Sequence, residues 1–157
     1  MVSLVTAPDQ PHTGPPVDAT TSAAEFEALL LQQAESLVSD LMQPSYLALA
    51  RIVVAETPRD PSLADLFRTA VAARALGAIS AAVHAGGEHC LVDRGVDIGR
   101  AARALVGPLL TYVLLDGLLR APDDIRRPSP DAVRGQVILF CRSIRPRHPQ
   151  PRDQETS

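Results

Sequence analysis

The chain has 157 residues, with 18 acidic side chains against 15 basic ones and a formal net charge of -3. Its basic residues other than histidine are all arginine, 46% of its residues are apolar and only 3% are aromatic. This length and composition are those of one soluble globular domain with an aliphatic core. The faintly acidic balance gives no support for nucleic-acid binding by the chain as it stands, and two cysteines are too few for a disulfide framework.

Both ends of the chain are rich in proline and polar residues. Residues 1–21 lack the basic start and apolar run of an export signal, and they and residues 146–157 are predicted to be disordered tails. The most apolar stretch, residues 104–119, is interrupted by Asp116 and is shorter than the roughly 20 residues that cross a bilayer. We therefore expect one helical domain over residues 22–145, no membrane partner and a cytoplasmic location. An all-arginine basic set with many alanines is typical of a GC-rich bacterial genome.

The first predicted helix begins after Ser22, which has the capping-box spacing to Glu25. Apolar residues then recur every three or four positions on one face: Phe26, Leu30, Ala34, Leu37 and Leu41. This pattern predicts an amphipathic surface helix that ends at Pro44. Residues 45–57 follow between two prolines and are apolar around most of their circumference, which predicts a central, buried helix.

A third helix is predicted to begin at Asp60, an N-cap followed by Pro61 at the first helical position. The apolar pattern continues from there to about Ala85. Gly86 and Gly87 follow directly and are predicted to stop this helix.

One face of the third helix combines small apolar side chains with one arginine. At 100° per residue, Arg74 shares this face with Leu63, Leu66, Phe67, Ala70, Gly77, Ala78 and Ala81. A buried guanidinium needs a partner, since leaving it unpaired costs several kcal/mol. The pattern indicates either a cavity for a small, partly polar or anionic ligand, or tight alanine packing around an ion pair with Asp116 or Glu56. Both interpretations stay open.

Two further helices are predicted after the glycine loop. The pattern from Asp97 to Arg120 gives a long apolar helix that Pro108 should kink, and Ser129 before Pro130 starts the last helix. The last helix carries an apolar stripe of Val133, Val137, Cys141 and Ile144. Both helices are apolar on more than the one face that a small bundle would bury. This predicts a four-helix interface in which the two helices pack against the same two helices of a second subunit. The alternative is that both apolar faces are buried within one subunit. The residues expected at this interface are Leu105, Leu109, Val113, Val137, Phe140 and Cys141.

His84, His89 and Cys90 lie close together in the sequence but predict no metal site. The two histidines straddle the glycine pair, and no carboxylate stands at a recognised ligand spacing. Cys90 with either histidine fits no pattern of a catalytic nucleophile and its base. The sequence also contains no glycine-rich phosphate loop, serine nucleophile elbow or dinucleotide fingerprint. We therefore expect neither an enzyme nor a cofactor.

The order of these features resembles the C-terminal effector-binding and dimerisation domain of TetR-family transcriptional regulators. The resemblance covers roughly residues 26–144, and its most distinctive part is the junction from RIVVAE to PSLADLF. The matching positions are Arg51, Glu56, Pro61, Leu63, Leu66, Phe67, Ala101, Ala102, Gly107 and Leu110. The resemblance implies an all-α bundle of five helices that forms a homodimer through its last two long helices.

The same resemblance implies a pocket for a small, largely apolar effector among the central helices. On this basis the ligand is expected near Phe67, Arg74, Tyr112 and Asp116. The proline-rich stretch before Phe26 is too short for the family's helix-turn-helix domain, so DNA binding is expected only through a missing N-terminal region or a full-length partner subunit. The rival hypothesis is a structural dimerisation or interaction module that has no ligand and could pair with a full-length regulator.

Overall fold

The computed structural model describes residues 16–146, and this part of the chain is helical with no strand. Five α-helices follow one another: α1 (Ala23–Leu41), α2 (Pro44–Glu56), α3 (Pro61–Glu88), α4 (Ile98–Tyr112) and α5 (Pro130–Ile144). A π-helical segment, Val113–Leu118, continues α4 directly. The predicted all-α fold with five helices is thus confirmed. The predicted tails lie outside the described residues, except for residues 16–21 and 146.

Four of the five α-helices begin where a side chain binds free backbone N–H groups, and α2, which begins at Pro44, has no side-chain cap. The Ser22 N–H donates to Glu25 Oε2 at 2.7 Å, and the Glu25 N–H donates back to Ser22 Oγ at 3.2 Å. Asp60 Oδ1 accepts from the Ser62 N–H at 3.0 Å at the start of α3. Ser129 caps α5 in the same manner.

The end of α3 differs from the prediction, because the helix continues through Gly86 and Gly87. It ends in a Schellman motif, in which the Leu91 N–H donates to the Gly86 carbonyl at 2.8 Å and the Cys90 N–H donates to the Gly87 carbonyl at 3.4 Å. Cys90 has a φ of 59°, the left-handed conformation that glycine usually takes at this position. The prediction that the glycine pair stops the helix was wrong.

The core is formed by α1, the second half of α3, α4 and α5. The predicted stripe of α5 is buried throughout: Val133, Val137, Cys141 and Ile144. A Cβ on Gly86 would lie 2.8 Å from the Phe26 ring and 2.9 Å from Val92 Cγ2, which is too close for any side chain. Because Gly86 has no side chain, α3 can pack closely against α1 at this position.

The prediction that α2 is a central, buried helix was wrong. One side of α2 is buried through Leu47, Ala50 and Val53. Three large apolar side chains on its other surfaces are more than half exposed: Leu49, Ile52 and Val54. A short helix that is apolar on most sides needs several neighbours to bury it, and the described fold covers only one side.

The predicted core face of α3 was also wrong. The buried residues of α3 lie on a different side of the helix: Ala75, Ile79, Ala82, Val83 and Gly86. Most of the predicted face lies at the surface, with Leu66 70% exposed. Because α3 is apolar around its whole circumference, its sequence contains no periodicity that selects one face.

The long fourth helix becomes π-helical in its last part. Pro108 lies inside α4, several residues before this segment begins, and the kink expected there stays a prediction. Inside the segment, a Cβ on Gly117 would lie 2.8 Å from Met42 Sδ and 3.2 Å from Leu47 Cδ2. Glycine therefore allows the π-helical backbone to lie directly against the junction of α1 and α2.

Within residues 16–146, two helices are long and apolar enough to cross a membrane, judged by length and composition alone. They are α3 and the continuous helix Ile98–Leu118, with mean hydropathies of 1.4 and 1.3 in their most apolar windows. The bent pair of α1 and α2 would add a third if it were one span. The prediction that the apolar stretch is too short was wrong, because the π-helical segment extends α4 without a break. Only 22% and 39% of the two windows are buried, so the fold leaves a large apolar surface uncovered.

Candidate functional site

Phe67 and Arg74, two of the four predicted ligand residues, lie on α3 beside the junction of α1 and α2. The rings of Phe67 and Tyr46 have centroids 5.8 Å apart and are tilted by 34°. Arg74 Nη2 donates to Asp40 Oδ2 at 2.8 Å. Burial raises the pKa of the Tyr46 hydroxyl, and the positive charge of Arg74 opposes that rise. Three helices thus bring together an aromatic pair and an ion pair. These four residues are called the Arg74 cluster below.

The Arg74 cluster is half exposed, whereas the sequence predicted a buried arginine. The side chains of Arg74 and Asp40 are 56% and 31% exposed. Of the two predicted partners, Glu56 pairs with Arg59 at 3.3 Å and Asp116 is bound elsewhere. The reason is the orientation of α3, which directs Arg74 towards α1 and away from the core. An ion pair at this exposure contributes up to about 1 kcal/mol to stability.

Tyr112 and Asp116, the other two predicted ligand residues, lie at the end of α4 and in the π-helical segment. Asp116 Oδ1 lies 3.5 Å from Arg120 Nη2, and Arg120 Nη1 lies 2.7 Å from Asp124 Oδ2. The Arg126 N–H donates to the Asp116 carbonyl at 2.9 Å. The hydrogen bond from Arg120 lowers the pKa of Asp124. Asp116 therefore belongs to a second charged cluster, distinct from the Arg74 cluster.

The sequence reasoning missed Asp40 and Tyr46. Both residues flank the two-residue connection between α1 and α2, so a short connection places them at the same end of the bundle. That signal was available, because Pro44 marks the boundary between the two helices. The position of Phe67 and Arg74 opposite this junction depends on the packing of α3, which local sequence does not encode.

A cavity of about 250 Å³ lies at the other end of α3. Its lining combines apolar and charged side chains from the end of α3, the following loop and the start of α4: Val83, His84, Gly87, Glu88, Val92, Asp93, Arg94, Val96 and Ile98. His84 Nε2 lies 4.0 Å from Glu88 Oε1. Cys90 is exposed nearby but does not line the cavity. In the described part of the chain, no three His, Cys, Asp or Glu side chains form a group that could hold a metal ion.

Comparison with known protein families identifies the family of this helical domain. The family of AefR-like transcriptional repressor C-terminal domains matches residues 28–143, a range that extends from α1 to α5. The chain belongs to this family. TetR-family C-terminal domains of this kind are parts of transcription regulators and not of enzymes. Comparisons with curated proteins and with solved structures found no significant match.

In this TetR-type domain, the six residues predicted at the dimer interface are buried within one chain. Their exposed fractions range from 0% to 8%: Leu105, Leu109, Val113, Val137, Phe140 and Cys141. Burial also raises the pKa of the Cys141 thiol to about 11. Their regular spacing marks the core side of the last two helices, so these side chains have no free surface to offer a second subunit.

The last two helices of the TetR-type domain do expose other large apolar side chains. Their exposed fractions are between 44% and 68%: Leu114, Leu115, Leu119 and Leu139. Three of these leucines lie in or directly after the π-helical segment. The predicted homodimer stays a prediction, and these four leucines, called the leucine surface below, are the exposed apolar side chains that its last two helices offer for a contact.

Proposed function

We propose that this TetR-type domain senses a small, largely apolar acid and forms a homodimer through its last two long helices. The observation that carries the sensing part is the Arg74 cluster. The Tyr46 and Phe67 rings suit an apolar or aromatic group, while the half-exposed Arg74 guanidinium suits a carboxylate. Both lie where α1, α2 and α3 meet, so a ligand bound there would contact three helices at once.

In this proposal the ligand carboxylate replaces the Asp40 carboxylate at Arg74. The guanidinium stays paired throughout, while the released Asp40 carboxylate, whose side chain is 31% exposed, is hydrated by solvent instead. The exchange would release the end of α1 and move the start of α2. Arg51 of α2 donates to the carbonyls of Gly117, Leu118 and Arg120, so a shift of α2 reaches the π-helical segment and the leucine surface.

Phenylacetate tests the sensing proposal, with 2-phenylethylamine as a probe of the same shape and opposite charge. Phenylacetate is expected to raise the Tm of the wild-type protein, whereas the amine is not. Arg74→Gln should abolish that rise. Arg68→Gln is the matched control, because Arg68 lies on the same helix in a 74% exposed pair with Asp65 and should leave the rise intact. An equal rise in the Arg74→Gln protein would overturn the proposal.

We propose that a second subunit, and not a lipid bilayer, covers the leucine surface. Arg74 stands near the middle of α3, and an arginine at the centre of a membrane span costs about 2.5–3.5 kcal/mol or more. We therefore propose a cytoplasmic protein in spite of its two membrane-length helices. DNA is read, in this proposal, by a helix-turn-helix domain outside the described residues or in a full-length partner subunit.

A structural dimerisation module without a ligand is the second candidate, because Arg74 already has the Asp40 carboxylate as a partner. This function predicts that phenylacetate leaves the Tm unchanged in wild-type protein and in both arginine variants. It also predicts that the protein co-purifies with a full-length regulator when the two are co-expressed. A Tm rise that depends on Arg74 would exclude it.

A further inference from the structure

The hydroxyl group of Tyr46 has no protein partner in the described fold. The Tyr46 and Phe67 rings have centroids 5.8 Å apart, which is a direct ring contact that a phenylalanine at position 46 would make equally well. Within residues 16–146 the hydroxyl forms no hydrogen bond. Burial removes part of its hydration without giving a protein partner in return, and this raises its pKa. Packing therefore accounts for the ring at position 46 and leaves the hydroxyl unexplained.

This hydroxyl lies close to the positive charge of Arg74. Tyr46 stands in the first turn of α2, and Phe67 precedes Arg74 by seven positions, or about two turns, on α3. The ring contact with Phe67 thus holds Tyr46 against the face of α3 that also carries Arg74. The guanidinium is near enough for its charge to lower the pKa of the hydroxyl against the effect of burial. A carboxylate that binds Arg74 therefore comes near a hydroxyl that can donate to it.

The Asp40 carboxylate uses only the guanidinium of this arrangement. Arg74 Nη2 donates to Asp40 Oδ2 at 2.8 Å, whereas Tyr46 donates to neither Asp40 oxygen. Asp40 belongs to the last turn of α1, so the helix limits how its carboxylate can turn. A free carboxylate has no such tether and can present one oxygen to the guanidinium and the other to the hydroxyl. Such a ligand would gain a second hydrogen bond to its charge, which Asp40 does not make.

We infer that the Tyr46 hydroxyl determines the specificity of the sensing site, by donating to one oxygen of the ligand carboxylate while Arg74 binds the other. This inference rests on the proposed sensing function and restricts its ligand to acids with two acceptor oxygens on one carbon. A primary amide of the same shape has one acceptor oxygen, and its NH2 group would meet a second donor. The site therefore selects a carboxylate over its amide.

Titration calorimetry of the full chain with phenylacetate and phenylacetamide tests the inference. Tyr46→Phe should bind phenylacetate about tenfold more weakly than the wild-type protein, because it loses one hydrogen bond to a charged group. Its affinity for the neutral amide should fall by less, so the preference for the acid narrows. The variant keeps the ring contact with Phe67, and its ligand-free Tm should stay close to that of the wild type. Equal phenylacetate affinities in the two proteins would overturn the inference.

Tyr112→Phe makes the same chemical change at the chain's other tyrosine, at the end of α4. This variant should bind phenylacetate as tightly as the wild-type protein does. Because the chain has no tryptophan, Tyr46 is then its main fluorophore, and phenylacetate should quench the tyrosine emission. Weaker binding in Tyr112→Phe, or an unchanged emission at saturating phenylacetate, would place the carboxylate away from Tyr46 and contradict the inference.

Arg74→Gln separates a failure of this inference from a failure of the proposed function. Phenylacetate binding that is lost in Arg74→Gln but unchanged in Tyr46→Phe would overturn the role of the hydroxyl and leave the sensing function intact. Absence of binding to the wild-type protein, or equal binding to the wild type and Arg74→Gln, would overturn the sensing function and this inference with it. Binding that weakens in both variants, and not in Tyr112→Phe, is the result expected if both groups hold one carboxylate.

Discussion

At the scale of single residues, Gly86 brings the Phe26 ring directly against the backbone of α3. A Cβ at this position would lie 2.8 Å from the ring, in a region that is already fully packed. Gly86→Ala is therefore expected to lower the free energy of unfolding by about 1–3 kcal/mol. Gly77→Ala, on the same helix with no atom within 4 Å, should raise it by up to about 1 kcal/mol through helix propensity. Urea denaturation measures both, and changes of the same sign would contradict the packing argument.

Cys90 is a second position at which the backbone limits which side chain fits. It holds the left-handed conformation at the end of α3, with a φ of 59°, which costs an L-residue about 1–2 kcal/mol. Cys90→Gly should relieve this strain and raise the stability by about 1 kcal/mol. Cys90→Ala removes the same thiol but keeps the Cβ, so it should give no gain. Thermal unfolding separates the two variants, and equal gains would assign the effect to the thiol and not to the backbone.

At the scale of helices, Arg51 connects α2 to the end of the π-helical segment. Its Nε donates to the Leu118 carbonyl at 3.1 Å, and its Nη2 donates to the carbonyls of Gly117 and Arg120 at 3.0 and 2.7 Å. The end of a helix leaves its last carbonyls without N–H groups further along the helix to bind, and a positive charge stabilises such carbonyls.

Arg51→Ala should lower the free energy of unfolding by about 2 kcal/mol, because it removes charged hydrogen bonds from a partly buried site. The amides of Leu119 and Arg120, which donate back into the segment, should exchange faster with solvent. Arg59→Ala is the control: Arg59 is 79% exposed in its pair with Glu56, and its loss should not measurably change either observable. Slow exchange of both amides in Arg51→Ala would contradict the capping role.

Helix starts and the core faces of the amphipathic helices α1 and α5 could be predicted from the sequence, but the core faces of α2 and α3 could not. Ser22, Asp60 and Ser129 act on backbone groups within a few residues, so local sequence contains the whole interaction. The core face of α3 depends on which neighbours it meets, and an all-round apolar helix gives no preference. For the same reason the sequence pointed to Arg74 as the site residue but named the wrong partners, because Asp40 is 34 residues away and reaches Arg74 only through tertiary packing.

At the scale of the whole molecule, two exposed groups of apolar side chains are candidates for the contact with a second subunit. One is the leucine surface of the last two helices. The other belongs to α2 and α3, where four large side chains are 51% to 70% exposed: Leu49, Ile52, Val54 and Leu66. Where exposed apolar side chains of this size form one patch, the patch marks an interaction site more often than free surface. The two surfaces lie on different helices, so charge substitutions can distinguish them.

The double variant Leu119→Glu/Leu139→Glu is expected to convert the dimer to a monomer, because two carboxylates per subunit would be buried without partners in the interface. Light scattering after gel filtration should show the mass fall from about twice 16.7 kDa to a single chain. Ile52→Glu/Leu66→Glu is the matched control, with side chains of similar exposure on the competing surface, and should remain dimeric. A monomeric control beside a dimeric test variant would place the interface on α2 and α3. A monomeric wild-type protein, soluble without detergent, would leave both surfaces without a second copy and contradict the homodimer itself.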